Sequence, residues 1–370
     1  MDSCDILIIG GGPAGSSCAR ALRRAGLDIV IMDKKSFPRT KVCAGWVTPA
    51  VIDTLEINIE EYAKGRTLQP IKGFRLSVLG GKEVEFCYEQ VASFGILRLE
   101  FDDYLLRRCE ARMKLGESFK TIARSGMGWL VNDSIEARLV IGAGGHFCPV
   151  ARFMGAKERG PELVVAAQEV EFELTQDQIA RCKVRPEIPE LYFCEDLKGY
   201  AWAFRKGNFL NIDLGREDNN SLSEHTQKFL NFLKSSGRVP QESPDQFHGH
   251  AYILYGHTQR ELLADGLMLI GDAAGLAYPQ SGEGIRTAVE SGMLAAQTIL
   301  TAEGDFSKTR LAPYSQRLRA RFGRVKSANY PSGLNASLAR VLMGTRWFSR
   351  HIVMDRWFLH RHQASLSASS

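Results

Sequence analysis

Gly10, Gly12 and Gly15 follow an apolar run, Leu7-Ile8-Ile9, and with Pro13 and Ala14 they precede a stretch predicted to be helical from Ser16 to Ala25. Glycines at this spacing permit a tight turn and let the backbone approach a pyrophosphate, while the positive end of the following helix faces the phosphates. Asp33, with Lys34 beside it, closes the next apolar strand. A carboxylate there can accept from both hydroxyls of an unphosphorylated ribose, and the ordered set of strand, glycines, helix, strand and acid marks a dinucleotide site. Far downstream another apolar strand runs into Gly271-Asp272-Ala273-Ala274-Gly275, and after a turn Gly282-Glu283-Gly284-Ile285 opens a further helix. The two glycine-rich segments are assigned to one cofactor divided across the chain.

A chain of 370 residues has room for two domains, or for one large domain with an inserted lobe, and 44% hydrophobic content is ordinary for a globular protein. The N-terminus enters a strand within five residues and offers no basic leader with a cleavable apolar stretch, so a cytoplasmic protein is expected. No apolar run approaches membrane-spanning length. Eight cysteines without a C-x-x-C pair predict reduced thiols and no metal site.

Charge is distributed unevenly. Residues 305–370 carry twelve Lys or Arg against Asp305 and Asp355, a net +10, which leaves residues 1–304 at −5. In that tail Leu334, Leu338, Val341 and Leu342 recur at helical spacing, followed by Trp347-Phe348 and Trp357-Phe358 among arginines. A peripheral contact with the inner, anionic membrane face or with a protein partner is one reading; a helical tail packed on the body with a solvated basic face is the favoured one. No recognition motif accompanies the charge, so nucleic acid is not expected as a partner.

Between the glycine segments the strand signals change from continuous apolar runs to alternation. Residues 71–88 read as a hairpin around Gly80-Gly81, and 162–216 as further alternating strands, while 217–247 read as a surface helix with loops. The predicted division is 1–70, 96–160 and 261–304 for the cofactor domain, 71–95 and 161–260 for a covering sheet, and 305–370 for the basic tail. Arg98 stands at the start of a helix whose Leu97, Phe101, Leu105 and Leu106 face the core.

The order and residues of the two glycine segments resemble the flavoproteins with a glutathione-reductase-type FAD domain. That resemblance implies an α/β fold: a Rossmann FAD domain with an inserted antiparallel β-sheet substrate domain and, here, a helical C-terminal tail. It implies FAD, with Gly271 and Asp272 near the ribityl and pyrophosphate region and Arg98 near the phosphate or the flavin. The helix opened by Gly282, Gly284 and Ile285 would face the isoalloxazine, where its dipole favours negative charge. Aromatic hydroxylases of this class usually have Ala-Asp-Gly where this chain has Ala143-Gly144-Gly145.

Two further stretches resemble the geranylgeranyl reductase family. Lys41, Cys43, Ala44 and Gly45 match its Lys/Arg-x-Cys-Gly/Ala-Gly stretch, and Tyr200, Trp202 and Phe204 match its Tyr-x-Trp-x-Phe-Pro motif, with Arg205 in place of the proline. The resemblance covers most of residues 1–300 and not the tail. It implies hydride transfer from reduced flavin to a carbon–carbon double bond of an isoprenoid or other apolar substrate, with Cys43, Lys41, Trp202 and Tyr200 as the catalytic set. Aromatic side chains on a covering sheet suit an apolar or planar substrate, although as core packing they need no ligand. A thiol beside Lys41 favours thiolate character, and Cys43 is read as a proton donor or as a lining group, whereas buried free cysteines are often inert. His146 and His257 are further proton-donor candidates. No second GxGxxG segment provides a nicotinamide domain, so NAD(P)H docks transiently or a redox protein or quinol supplies electrons. The alternative activity is that of a flavin monooxygenase or oxidase acting on an aromatic group, including a protein side chain in quinone-cofactor maturation. A non-enzymatic FAD-bound scaffold or redox sensor is the third.

Overall fold

A computed structural model of the chain describes residues 1–126, 128–156, 164–218, 221–257, 260–323 and 334–366, with side chains of the last segment from 337 onward. The strand Asp2–Ile9 lies at the centre of an eight-stranded sheet, parallel to Ile29–Asp33 on one side and to Ile135–Gly142 on the other. Leu267–Leu269 continues the parallel array beyond Ile135–Gly142, and Arg112–Leu115 extends it beyond Ile29–Asp33. Ile6, Leu7, Ile8, Ile31, Val140 and Ile141 are all fully buried. Their continuous apolar character follows from helices covering a parallel sheet on both faces.

The helix behind the glycines spans Pro13–Leu22, three residues earlier at both ends than the predicted Ser16 to Ala25. Proline at the first position needs no N–H partner and fixes the helical φ, which brings the start forward. This helix packs against Ile285–Thr301, where Gly292 lets the two backbones meet.

A second sheet of seven strands runs in the order His248–Ile253, Val164–Glu173, Phe209–Arg216, Gly199–Lys206, Glu190–Phe193, Gly73–Val78 and Val84–Cys87. The predicted hairpin at 71–88 forms, as Gly73–Val78 paired with Val84–Cys87. One pair departs from the expected antiparallel arrangement: Glu190–Phe193 runs parallel to Gly73–Val78. The chain visits the first sheet between them, and such a long crossover permits parallel pairing where a tight turn would not. A separate three-stranded sheet joins Ser93–Ile96 to Trp46–Val47 and Leu68–Ile71.

Period-two alternation divides the seven-stranded sheet into two faces. Val170, Ala201, Ala203, Leu210, Ile212 and Leu214 bury against Phe229, Leu230 and Leu233 of the helix Leu222–Ser235. The predicted surface helix therefore seals the outer face. The inner face, with Tyr200, Trp202 and Asp213, turns toward the first sheet and lines a cavity.

The tail is structural over much of its length. A π-helical run, Ser349–Phe358, places Val353, Met354 and Phe358 in one apolar cluster with Phe74, Phe86 and Phe193. Residues 363–366 clasp the body: Arg286 Nη2 donates to the carbonyls of Gln363 and Ala364, and Leu366 N donates to Thr54 Oγ1 at 3.1 Å. Leu338, Val341 and Trp347 remain exposed, and the Leu334 side chain lies outside the described residues. Among the described residues no helix is long and apolar enough to cross a membrane.

Candidate active site

The glycine turn and the acid that follows it form one unit. Gly11 N donates to Asp33 Oδ2 at 2.8 Å and Lys35 N to Asp33 Oδ1 at 2.9 Å, so this carboxylate ties the end of one strand to the turn after the other. Lys34, between them in sequence, is exposed. Gly10 has φ +119°, and any Cβ there would run into the Ala143 carbonyl. Gly12 caps the Pro13–Leu22 helix without a side-chain hydrogen bond, and the first turn holds no acidic residue. Its backbone donors are therefore available to an anion. Arg39 stands nearby, its Nη2 3.4 Å from where a Gly12 Cβ would be, and adds a positive charge that sequence reading passed over.

Beyond this turn lies a cavity of about 150 Å³. Lys41, Cys43, Tyr200 and Trp202 all line it, as do Pro13, Ala44, Arg98, Asp272, Gly282, Gly284 and Ile285. Segments from five parts of the sequence thus converge. Of the remaining sequence-predicted positions, Gly10, Gly12, Ala14, Gly15 and Asp33 belong to the turn unit beside it. Gly45 and Gly271 act behind the wall: Gly45 N contacts Cys43 Sγ at 3.5 Å, and Gly271 N donates to Ser291 Oγ at 2.9 Å. Neither His146 nor His257 is among the lining residues; His250 is.

One side of the cavity is cationic. Arg98 is buried and holds Asp102 through two bonds of 2.7 and 2.8 Å, with Arg39 3.3 Å from the same carboxylate. Its guanidinium also meets Cys43. Lys41 Nζ lies 3.1 Å from His250 Nδ1. A lysine in its charged form only donates, which makes Nδ1 the acceptor and assigns the ring proton to Nε2. Burial first, and then the charges of Lys41 and Arg98, push His250 well below the usual histidine range. Burial and Arg98 also lower Lys41, against the pull of Asp272 and Cys43.

The opposite side is aromatic. Tyr200 donates to the Ser281 carbonyl, and Trp202 Nε1 to Asn211 Oδ1 at 2.8 Å, which fixes both rings on the strand Gly199–Lys206. With arginine at 205 instead of proline, that strand keeps its pairing through Lys206. Fully buried Lys206 pairs with Glu171 and donates to Ala44 O at 2.8 Å, anchoring the Cys43 loop to the covering sheet. Phe358 of the tail completes the wall. Tyr200, Tyr252 and Gly282 also border a second cavity of about 860 Å³, whose far side is built from Met343, Phe348, Ile352 and Trp357.

An open helix N-terminus and a ribose-ready acid in one turn unit, beside a cavity lined by the downstream Asp272–helix segment, define a dinucleotide-dependent flavoprotein site. Residues 5–109 match the family described as FAD dependent oxidoreductase, and residues 128–328 the FAD binding domain. A digeranylgeranylglycerophospholipid reductase from Methanothermobacter thermautotrophicus is 31% identical over 344 residues, which cover 86% of this chain and 83% of that one. A solved geranylgeranyl bacteriochlorophyll reductase-like protein from Thermoplasma acidophilum has a TM-score of 0.75 at 21% identity, covering 93% of this chain and 88% of its own. A probable FAD-dependent monooxygenase from Pseudomonas aeruginosa has a TM-score of 0.65 at 19% identity, covering 88% and 94% respectively. The two structural likenesses are likenesses of fold. The chain belongs to the FAD-dependent oxidoreductases of the geranylgeranyl reductase type, and its cofactor is FAD.

Proposed function

We propose that this enzyme reduces a carbon–carbon double bond in an isoprenoid chain. The observation that carries the proposal is the meeting of two cavities at Tyr200, Tyr252 and Gly282, the smaller at the flavin motifs and the larger with an apolar side of Phe193, Met343, Phe348, Ile352 and Trp357 and charged Lys198, Arg216, Glu217 and Arg356 among its other lining residues. A long apolar substrate laid through the larger one would present a double bond at the smaller. Bound FAD supplies the hydride. The chain's own residues do the rest: Gly12 to Gly15 and Arg39 receive phosphates, Asp33 the ribose, and Asp272 with the 285–301 helix terminus the flavin end. Tyr200, Trp202 and Phe358 exclude water and hold the alkene, while Cys43, Lys41 and Arg98 set the polar side.

The similarity to a digeranylgeranylglycerophospholipid reductase supports the substrate class. Against the oxygenase alternative, a Cβ at Gly144 would already lie 3.3 Å from the Cys148 backbone, leaving little room for the aspartate of aromatic hydroxylases. The test is anaerobic turnover with dithionite and a geranylgeranyl lipid, followed by mass spectrometry. A gain of two hydrogens per reduced double bond supports the reading, and unchanged lipid overturns it. Hydroxylated product on admitting air would establish the oxygenase instead. NAD(P)H and a reduced ferredoxin, each replacing dithionite, identify the physiological type of donor.

For the tail, exposed Leu338, Val341 and Trp347 beside exposed Arg340 and Arg346 suit an anionic lipid surface. The inner side of the same helices borders the larger cavity, which gives a lipid substrate a short route inward. Sedimentation with anionic vesicles should fall when Leu338, Val341 and Trp347 are changed to Ser; unchanged sedimentation refutes this docking.

A further inference from the structure

Reduction of an alkene needs a proton as well as a hydride, and on the cationic side of the cavity Lys41 already gives its hydrogen bond to His250 Nδ1. The inner face of the covering sheet holds a different group. Glu169, Asp213 and Trp202 lie in one cross-strand row, Glu169 directly opposite Asp213 and Asp213 directly opposite Trp202. Glu169 is 5% and Asp213 2% exposed, and Asp213 lines the cavity beside Tyr200 and Tyr252. Among the described residues neither Asp213 Oδ1 nor Glu169 Oε2 finds a donor, although the two carboxyl groups interact with each other. Two buried carboxylates cannot satisfy one another, since both only accept; one proton between them turns the contact into a hydrogen bond and removes one charge.

The nearby donors are shared with Glu171, although Lys206 and Asn211 also act on Glu169. Lys206 pairs with Glu171, and Asn211 gives its amide to Glu171 at 3.0 Å while accepting from Trp202. The remaining groups facing the pair are Tyr200 on the adjoining strand, Tyr252 and His250 on the edge strand, Cys43 and Lys41 on the loop, and Asp272 across the cavity. His248 stands opposite Glu169 in the edge-strand register and is exposed.

We propose that Glu169 and Asp213 share one proton and that Asp213 delivers it to the alkene. The inference rests on the reductase reading above. Hydride from reduced FAD forms a C–H bond at one alkene carbon. The Asp213 O–H bond breaks as a second C–H bond forms at the other carbon. The alkene gains two electrons and two hydrogens, the flavin is oxidised, and the carboxyl pair, left with two negative charges, regains its proton from water. Burial first, and then the charge of Glu171 on Glu169 and of Glu169 on Asp213, raise both groups above the ordinary range against the pull of Lys206 on Glu169, so the pair keeps a proton near neutral pH.

Infrared spectroscopy of the FAD-loaded protein reads the shared proton without substrate. At pH 7 the wild-type spectrum minus that of Asp213→Asn or of Glu169→Gln, in which the buried Glu283 carboxyl cancels, should show the C=O stretch of one protonated, buried carboxyl, shifted in D2O; absence of that difference band overturns the proposal. Single-turnover flavin reoxidation by a geranylgeranyl lipid should slow by about 10²–10⁴-fold in Asp213→Asn, the usual worth of a general acid. The wild-type rate should fall at alkaline pH, and that limb should vanish in the variant. An Asp213→Asn protein that binds FAD and retains the wild-type rate and pH profile overturns the delivery step. A wild type that shows the band but is reoxidised by no isoprenoid overturns the reductase reading and the delivery with it, leaving the shared proton.

Discussion

The Phe358 ring stands edge-on to that of Tyr200, with centroids 5.2 Å apart and planes at 78°. It also stacks on Trp46 at 5.8 Å. A residue twelve positions from the C-terminus is thus part of the wall that faces the flavin motifs, and the tail belongs to the site. Truncating a core phenylalanine to alanine costs about 3–5 kcal/mol, so Phe358→Ala should lower the melting temperature markedly. Phe358→Leu keeps most of the volume and removes the ring. It should bind FAD normally while raising KM for an isoprenoid lipid, as steady-state kinetics would show.

Arg98 and Asp102 form a second coupled pair. Arg98→Met leaves the fully buried Asp102 with Arg39 as its one cation partner among the described residues, and unfolding by urea should show a loss of about 3 kcal/mol. Replacing both, as Arg98→Met with Asp102→Leu, should recover much of that loss. A double variant no more stable than the single one would show that the arginine is held for packing alone.

Glu283 gives a pH signature. Burial raises its carboxyl to about 8 from an ordinary 4.5, and neither oxygen finds a donor among the described residues. Between those values the folded chain retains a proton that the unfolded chain has released, so this group lowers stability as pH rises from 4.5 to about 8. Glu283→Gln mimics the protonated form and should melt higher than wild type by a margin that grows from pH 5 to pH 8. A constant margin in differential scanning calorimetry would contradict the assignment.

The parts of the fold legible in sequence are those in which neighbours in the chain are neighbours in space. Leu7 through Asp33 runs strand, turn, helix and strand without a break, and Leu267 to Thr301 runs strand, turn and helix, so periodicity and glycine spacing marked these elements. Tyr200 and Trp202 were found through their match to the geranylgeranyl reductase motif, and they face one cavity because they lie on one strand at period two. His250, Asp213 and Phe358 were missed because cross-strand register and a returning tail bring them in from distant positions. A signal for the acids was nonetheless present: Glu169 and Asp213 fall at strand positions where the chain buries them, and a buried charge is costly without a partner. The early helix start at Pro13 and the parallel pairing of Glu190–Phe193 depend on proline geometry and on a long chain excursion, which alternation does not report.

The most direct test of the account is a single-turnover experiment. The FAD-loaded protein is reduced anaerobically, freed of excess reductant and mixed in a stopped-flow spectrometer with a geranylgeranyl lipid. Return of the oxidised flavin spectrum at a rate that rises and saturates with lipid, with one double bond lost per flavin, is the predicted result. Flavin that stays reduced in the presence of such lipids yet reoxidises on mixing with oxygen and an aromatic substrate would contradict it.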